Sequence, residues 1–188
     1  MSSIVESIKA EYLRYKTLAE GAVEQLEDGD LSREGPNGGN SIAVLCWHIS
    51  GNLKSRFTDF LTSDGEKPWR QREEEFSART VSRAELRQKW EDGWKVLIDT
   101  LSRLTDDDLE KTVTIRQNPL LVHEALHRSL SHTSYHVGQI VYVAKGFSGA
   151  AWKYLSIAPG QSATYNKAPR YDKPAAQQAA IAEKVTRK

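Results

Sequence analysis

A single cysteine, Cys46, stands in a chain of 188 residues, so no internal disulfide can staple it. That suits a reducing compartment, and the cytoplasm is the expected location. Charge of one sign is also missing: 26 Lys and Arg balance 25 Asp and Glu, a net +1 with a pI near 7.8. Such a balance argues against a general binder of nucleic acid or of membrane surfaces. The basic C-terminal end, Glu183 to Lys188, is short, and neither base-stacking motifs nor a basic helical stripe accompany it. No apolar run reaches the roughly 20 residues that span a bilayer. The opening stretch, Met1 to Glu6, lacks the basic start and apolar core of a secretion signal. Internal repeats and a clear strand pattern for a sheet are absent too. What is left is enough chain for one domain with a sizeable core.

What is present is helical periodicity, in four long segments. The first runs from about Ser3 to Glu27, with Ile4, Ile8, Tyr12, Tyr15, Ala19, Ala22 and Leu26 at three/four spacing and Ser3 and Glu6 as a candidate capping box. Asp28 to Gly39 reads as a loop. The second helix starts near Asn40 or Ser41, carries Ile42, Leu45, Ile49, Leu53 and Phe60, and should stop before Ser63-Asp64-Gly65. A polar loop with Pro68 and Trp69 follows. The third spans about Ser82 to Leu104, with Ser82 and Glu85 as a second capping box and Leu86, Trp90, Leu97 and Leu101 on its apolar face. Thr112 to Ile115 is brief and β-branched, an extended connector. Asn118 and Pro119 suit the N-cap and first turn of the fourth helix, which should end near Gly146. A short helix around Gly149 to Leu155 comes next, then a turn at Pro159-Gly160. Lys173 to Lys188 has little to bury and reads as a frayed helix or a disordered tail. The fold class is therefore all-α: a four-helix bundle over residues 1–170, with a long loop between helices two and three and a polar tail over 171–188.

Four of the five histidines fall on the fourth helix. His132 and His136 are four apart, which puts both on one face, one turn apart. Ala125, Ser129 and Val143 share that side and are small or apolar, so the pair faces the bundle interior. His123 and His127 are also four apart but point well away, toward wetter surroundings. His48, on the second helix, lies at the margin of the core stripe beside Leu45 and Asn52. Two imidazoles from one helix and one from its neighbour make three nitrogen ligands for a divalent metal, and three protein ligands with an open position describe a catalytic site better than a structural one. Asn52 and Asp59 fall on the His48 side and are candidates to orient its ring; the plainer reading is that they are surface polar groups. Likewise, any of the histidines read singly is an ordinary hydrogen-bonded or solvated side chain. Cys46, two residues from His48, turns about 200° away and reads as a small core residue.

These residues, in this order, resemble the DinB/YfiT-like superfamily of bacterial four-helix bundles. The resemblance rests on His48 after an Asn-Ser helix start and on His132-x-x-x-His136 followed by Val137-Gly138-Gln139-Ile140. Gly51-Asn52, Ser55 to Phe60, Asp64 to Arg70, Leu155-Ser156-Ile157 and Gly160-Gln161-Ser162 resemble one branch of it, and the likeness covers about residues 3–167. It implies a metal, usually zinc or nickel, held by His48, His132 and His136. In related branches that metal serves thiol-dependent chemistry, such as bacillithiol S-transfer or mycothiol-dependent isomerisation, and homodimers are common.

The expected function is then an enzyme that activates a low-molecular-weight thiol for S-transfer to an electrophile, with a small-molecule substrate. A hydrolase using metal-bound water fits the same ligand set. A non-catalytic binding or dimerisation module, with the Trp90 and Trp94 face covering a partner, is the alternative of a different class. Lys67, Trp69 and Arg70, with Arg72 nearby, form a basic, aromatic loop suited to clamping a carboxylate on the substrate; as plainly, it is a solvated loop with Trp69 plugging the bundle end. Arg56 is expected to pair with an acidic helix partner. Tyr135 and Gln139 are expected to turn off the histidine face, toward packing or a dimer contact.

Overall fold

Three serines set the starts of three long helices. Ser3, Ser41 and Ser82 each sit in extended backbone, and each hydroxyl accepts the amide hydrogen three residues on, from Glu6, Val44 and Glu85 at 3.1–3.2 Å. At Ser82 the Glu85 carboxylate returns to the Ser82 amide at 2.8 Å, which completes a capping box. The computed structural model describes residues 3–186. Its long helices are α1 (Ile4–Val23), α2 (Ile42–Phe57), α4 (Arg83–Leu101) and α5 (Val122–Ser148), with a one-turn helix α3 (Arg72–Glu75) between α2 and α4. Two more follow α5: the one-turn α6 (Ser162–Tyr165) and α7 (Pro174–Thr186).

The long helices are amphipathic, and they pack α2 on α4, α1 on α5, α2 on α5 and α1 on α4. Tyr12, Trp94 and Phe57 meet edge-on at the centre, with ring centroids 6.3 and 6.4 Å from that of Tyr12. Trp90 and Trp94 both line this core rather than an outer surface. Two glycines let helices approach closely. Cβ atoms on Gly93 and Gly51 would meet Ser50 Cα at 2.6 Å and Glu75 Cδ at 2.7 Å. Cys46 is buried, and desolvation pushes its thiol up to about 12.

Three elements differ from the sequence-based expectation. Helix α2 stops at Phe57, because Thr58 is extended and Asp59 takes a left-handed φ of 48°. Asn118-Pro119 does not start the fourth helix. Thr112–Ile115 is strand β1, paired antiparallel with β2 (Asn118–Leu121), Ile115 opposite Asn118, and α5 begins only at Val122. Arg116 and Gln117 close this hairpin, both with positive φ (55° and 63°), as a two-residue turn demands. The cost of two left-handed non-glycine residues is offset by Asp64, whose carboxylate accepts both turn amides at 2.8 and 2.7 Å. Backbone donors hold the Asp64 carboxyl down to about 2. Finally, the C-terminal stretch is not a tail with nothing to bury: α7 lies against α1 and buries Gln177, Ala180 and Ile181. Among the described residues, no helix is long and apolar enough to cross a membrane.

Candidate metal centre

The interior faces of α2 and α5 bring His48, His132 and His136 together. One ring nitrogen from each lies within 4.8 Å of the other two, and among the described residues the group has these three members. The rings stand edge to face, with centroids 4.6–5.2 Å apart. His48 Nε2 and His132 Nε2 face each other at 3.2 Å.

Two of the rings are held from behind. His48 Nδ1 is 2.9 Å from a Glu75 carboxylate oxygen, and a carboxylate only accepts, so Nδ1 carries the hydrogen and the Nε2 lone pair points inward. His136 Nδ1 donates to the Gln139 side-chain oxygen at 2.7 Å, which frees its Nε2 in the same way. Glu75 is itself clamped by Arg70, with Nε and Nη2 each 2.8 Å from one carboxylate oxygen. Burial raises the Glu75 carboxyl, but the bonds from Arg70 and His48 outweigh it and hold it below the usual range. Phe76 lies tilted against the His48 ring with centroids 4.6 Å apart.

His132 and His136 are held toward the neutral form. Burial, then the neighbouring His136 and His48 and the charges of Arg70 and Arg56, push His132 down to about 3. Burial also lowers His136, against the Gln139 bond. Neutral imidazoles with converging lone pairs are what a first-row divalent ion takes as ligands. Carboxylate and amide partners on the distal nitrogens are the usual orienting arrangement behind metal-binding histidines. The donor set therefore fits a metal.

A cavity of about 270 Å³ opens over the three rings. Asn52, expected to orient His48, lines this cavity one turn on, and the partner of His48 Nδ1 is Glu75 instead. Asp59 lies past the end of α2, exposed, among Thr58, Leu61 and Arg103 and away from the histidines. Of the residues expected to touch substrate, Arg70 and the nearby Arg72 line the cavity. Lys67 is buried, with Nζ bonded to Ser63 Oγ at 2.6 Å and to the Asp64 carbonyl, and Trp69 is 52% exposed on a different face. Arg56 does pair with an acid, Glu66 at 3.3 Å, though Glu66 lies in the loop and not on a helix. His123 bonds the Leu109 carbonyl at 3.2 Å and His127 is exposed, both away from the centre.

Sequence reasoning missed Glu75 and misplaced Gln139. Glu75 is 27 residues from His48 with no periodicity to link them. Gln139 was legible: three residues turn a helix by about 300°, only about 60° short of a full turn, so i and i+3 are neighbours. Comparison with known proteins returns no matching curated protein and no matching solved structure. One family model does match, over residues 2–161, and by that match the chain belongs to the family described as "Protein of unknown function (DUF1572)".

Proposed function

We propose that this chain is a metal-dependent enzyme of the DinB/YfiT-like four-helix-bundle type, in which His48, His132 and His136 hold zinc or nickel and a low-molecular-weight thiol is transferred to an electrophile. The observation that carries the reading is the set of three imidazoles, two with Nε2 freed by Glu75 and Gln139, converging under an open cavity. A divalent ion bound there supplies Lewis acidity that makes a thiol acidic enough to react near neutral pH. In the proposed reaction the thiol loses its proton and its sulfur forms a bond to an electrophilic carbon. The carbon's bond to the leaving group, or to an epoxide oxygen, breaks, and the proton balances the departing group.

The chain's own residues do the positioning. Glu75 and Gln139 fix the ring orientations, and Arg70 fixes Glu75. Phe57, Phe60, Phe76 and Ile115 give the cavity an apolar wall that limits water. Cys46 supports an external thiol: it is buried, its thiol is raised, and it does not line the cavity. A homodimer in a reducing cytoplasm is part of the proposal, and Tyr135 and Tyr142, 64% and 67% exposed on α5, support a surface for the second copy.

The test is metal content by plasma mass spectrometry on untagged protein, beside the variant His132→Ala. About one zinc or nickel per chain, lost in the variant, is the expected result; thiols can then be screened against electrophiles. Absence of metal even after reconstitution would overturn the reading.

A further inference from the structure

The cavity over the histidines is lined by five arginines, Arg56, Arg70, Arg72, Arg116 and Arg128, and among the described residues no aspartate or glutamate lines it. Two of the five lie deep and are neutralised from outside the cavity: Arg70 by Glu75, and Arg56 by Glu66. The other three are exposed at the rim. Arg116, at the hairpin turn, shares Glu66 at 2.9 Å, and Arg72 pairs with Glu73 at 2.9 Å while its guanidinium lies 5.1 Å over the Phe76 ring. Arg128 has no ion pair among the described residues. It stands one helical turn before His132, so Arg128, His132 and His136 form one stripe at i, i+4 and i+8 on α5.

Five guanidinium groups around one small cavity repel one another, and three carboxylates placed behind them do not cancel the excess inside it. Planar forks of donors on facing walls suit the oxygens of a carboxylate or phosphate. We infer that this arginine collar binds an oxyanion, the carboxylate or phosphate group of the substrate, with Arg128 as its principal anchor. The inference deepens the proposed function and rests on it only for the ligand's role as substrate. The arginines come from α2, the loop after it, α3, the hairpin turn and α5, so the ligand would touch every wall. It would present its anionic end to the rim and its reacting atom to the histidines.

The experiment is calorimetric titration of chelator-treated protein with inorganic phosphate and, separately, with succinate. Wild type, Arg128→Gln, Arg116→Gln and His132→Ala are compared, with circular dichroism to confirm that each variant is folded. Saturable binding of either probe supports the site, provided that it persists in His132→Ala and weakens about tenfold in Arg128→Gln, the size of one lost charge-assisted hydrogen bond. The probe that binds assigns the anion. Arg116→Gln repeats the test from a different element and should also weaken it. If neither probe saturates, or Arg128→Gln and Arg116→Gln both bind like wild type, or binding requires added zinc, the collar is overturned as an anion site. Because the titration is done without metal, it can succeed where the metal-content measurement fails, and the reverse.

Discussion

His48 shows how much of a site is decided by an atom on the far side of a ring. Its Nε2 can serve as a ligand because Nδ1 is committed to Glu75, and Glu75 is committed by Arg70. Glu75→Gln keeps an acceptor for Nδ1 but removes the charge and leaves the Arg70 side chain, 2% exposed, without its partner. Metal affinity should fall by about 10–100-fold, measured by competition with a chromophoric chelator; unchanged affinity would show that orientation does not come from this carboxylate. The candidate ligand histidines also predict a pH response of the metal-free protein. His132 titrates near 3 when folded and near 6.5 otherwise, so the unfolded chain binds the extra proton between these values. Stability is complete above pH 6.5 and is lost progressively as pH falls toward 3, with His136 adding loss of the same sign. Thermal melts with chelator should show the decline beginning between about pH 7 and 5, above most carboxylate titrations, and His132→Asn should flatten it. At this scale the sequence was informative where spacing repeats, as in His132 and His136. It was silent where a partner arrives from a loop, as Glu75 does.

At the scale of elements, two glycines do different work. A methyl on Gly93 meets the backbone of Ser50 on the neighbouring helix, so α2 and α4 would have to separate. A methyl on Gly51 meets the Glu75 side chain, which is pinned by two partners and cannot swing away freely. Gly93→Ala should lower stability by about 1–3 kcal/mol in denaturant unfolding. Gly51→Ala should instead reproduce the metal-affinity loss of Glu75→Gln while melting closer to wild type. Equal behaviour of the two variants in both assays would contradict this division. The long helices were legible because their caps and stripes agree: Ser41 and Ser82 cap where expected, and Leu45, Ile49, Leu53, Leu97 and Leu101 are all buried. The hairpin was not. Asn118-Pro119 offers good helix-start chemistry, yet tertiary pairing with Thr112–Ile115 prevails, and Arg116-Gln117 lacks the Asn-Gly or Asp-Gly signature of such a turn. The extent of α7 was hidden for a related reason: its apolar positions are mostly alanines, and burial of Ile181 against α1 gives the segment its place.

For the molecule as a whole, the candidate ligands lie on two helices, with His48 and His132 84 residues apart in sequence, so an ion that joins them ties α2 to α5 in the folded state alone. Binding to the folded state raises apparent stability by mass action. Zinc at about 100 times its dissociation constant should stabilise the wild type by about 2.7 kcal/mol, read as a higher Tm, with little shift in His132→Ala. A wild-type Tm indifferent to zinc and nickel would argue against a built site.

The Asp64 carboxylate has one more consequence. It gathers three amide hydrogens, from Glu66, Arg116 and Gln117, at 2.7–2.8 Å. The loop after α2 and the hairpin turn are thereby tied at one knot, and each brings one arginine to the cavity, Arg70 and Arg116. In deuterium-exchange measurements, the outermost turn of the hairpin should then behave as though it were interior. Its two amides should exchange slowly despite their exposure to solvent, and Asp64→Ala should release both together with that of Glu66, as a single exchange unit.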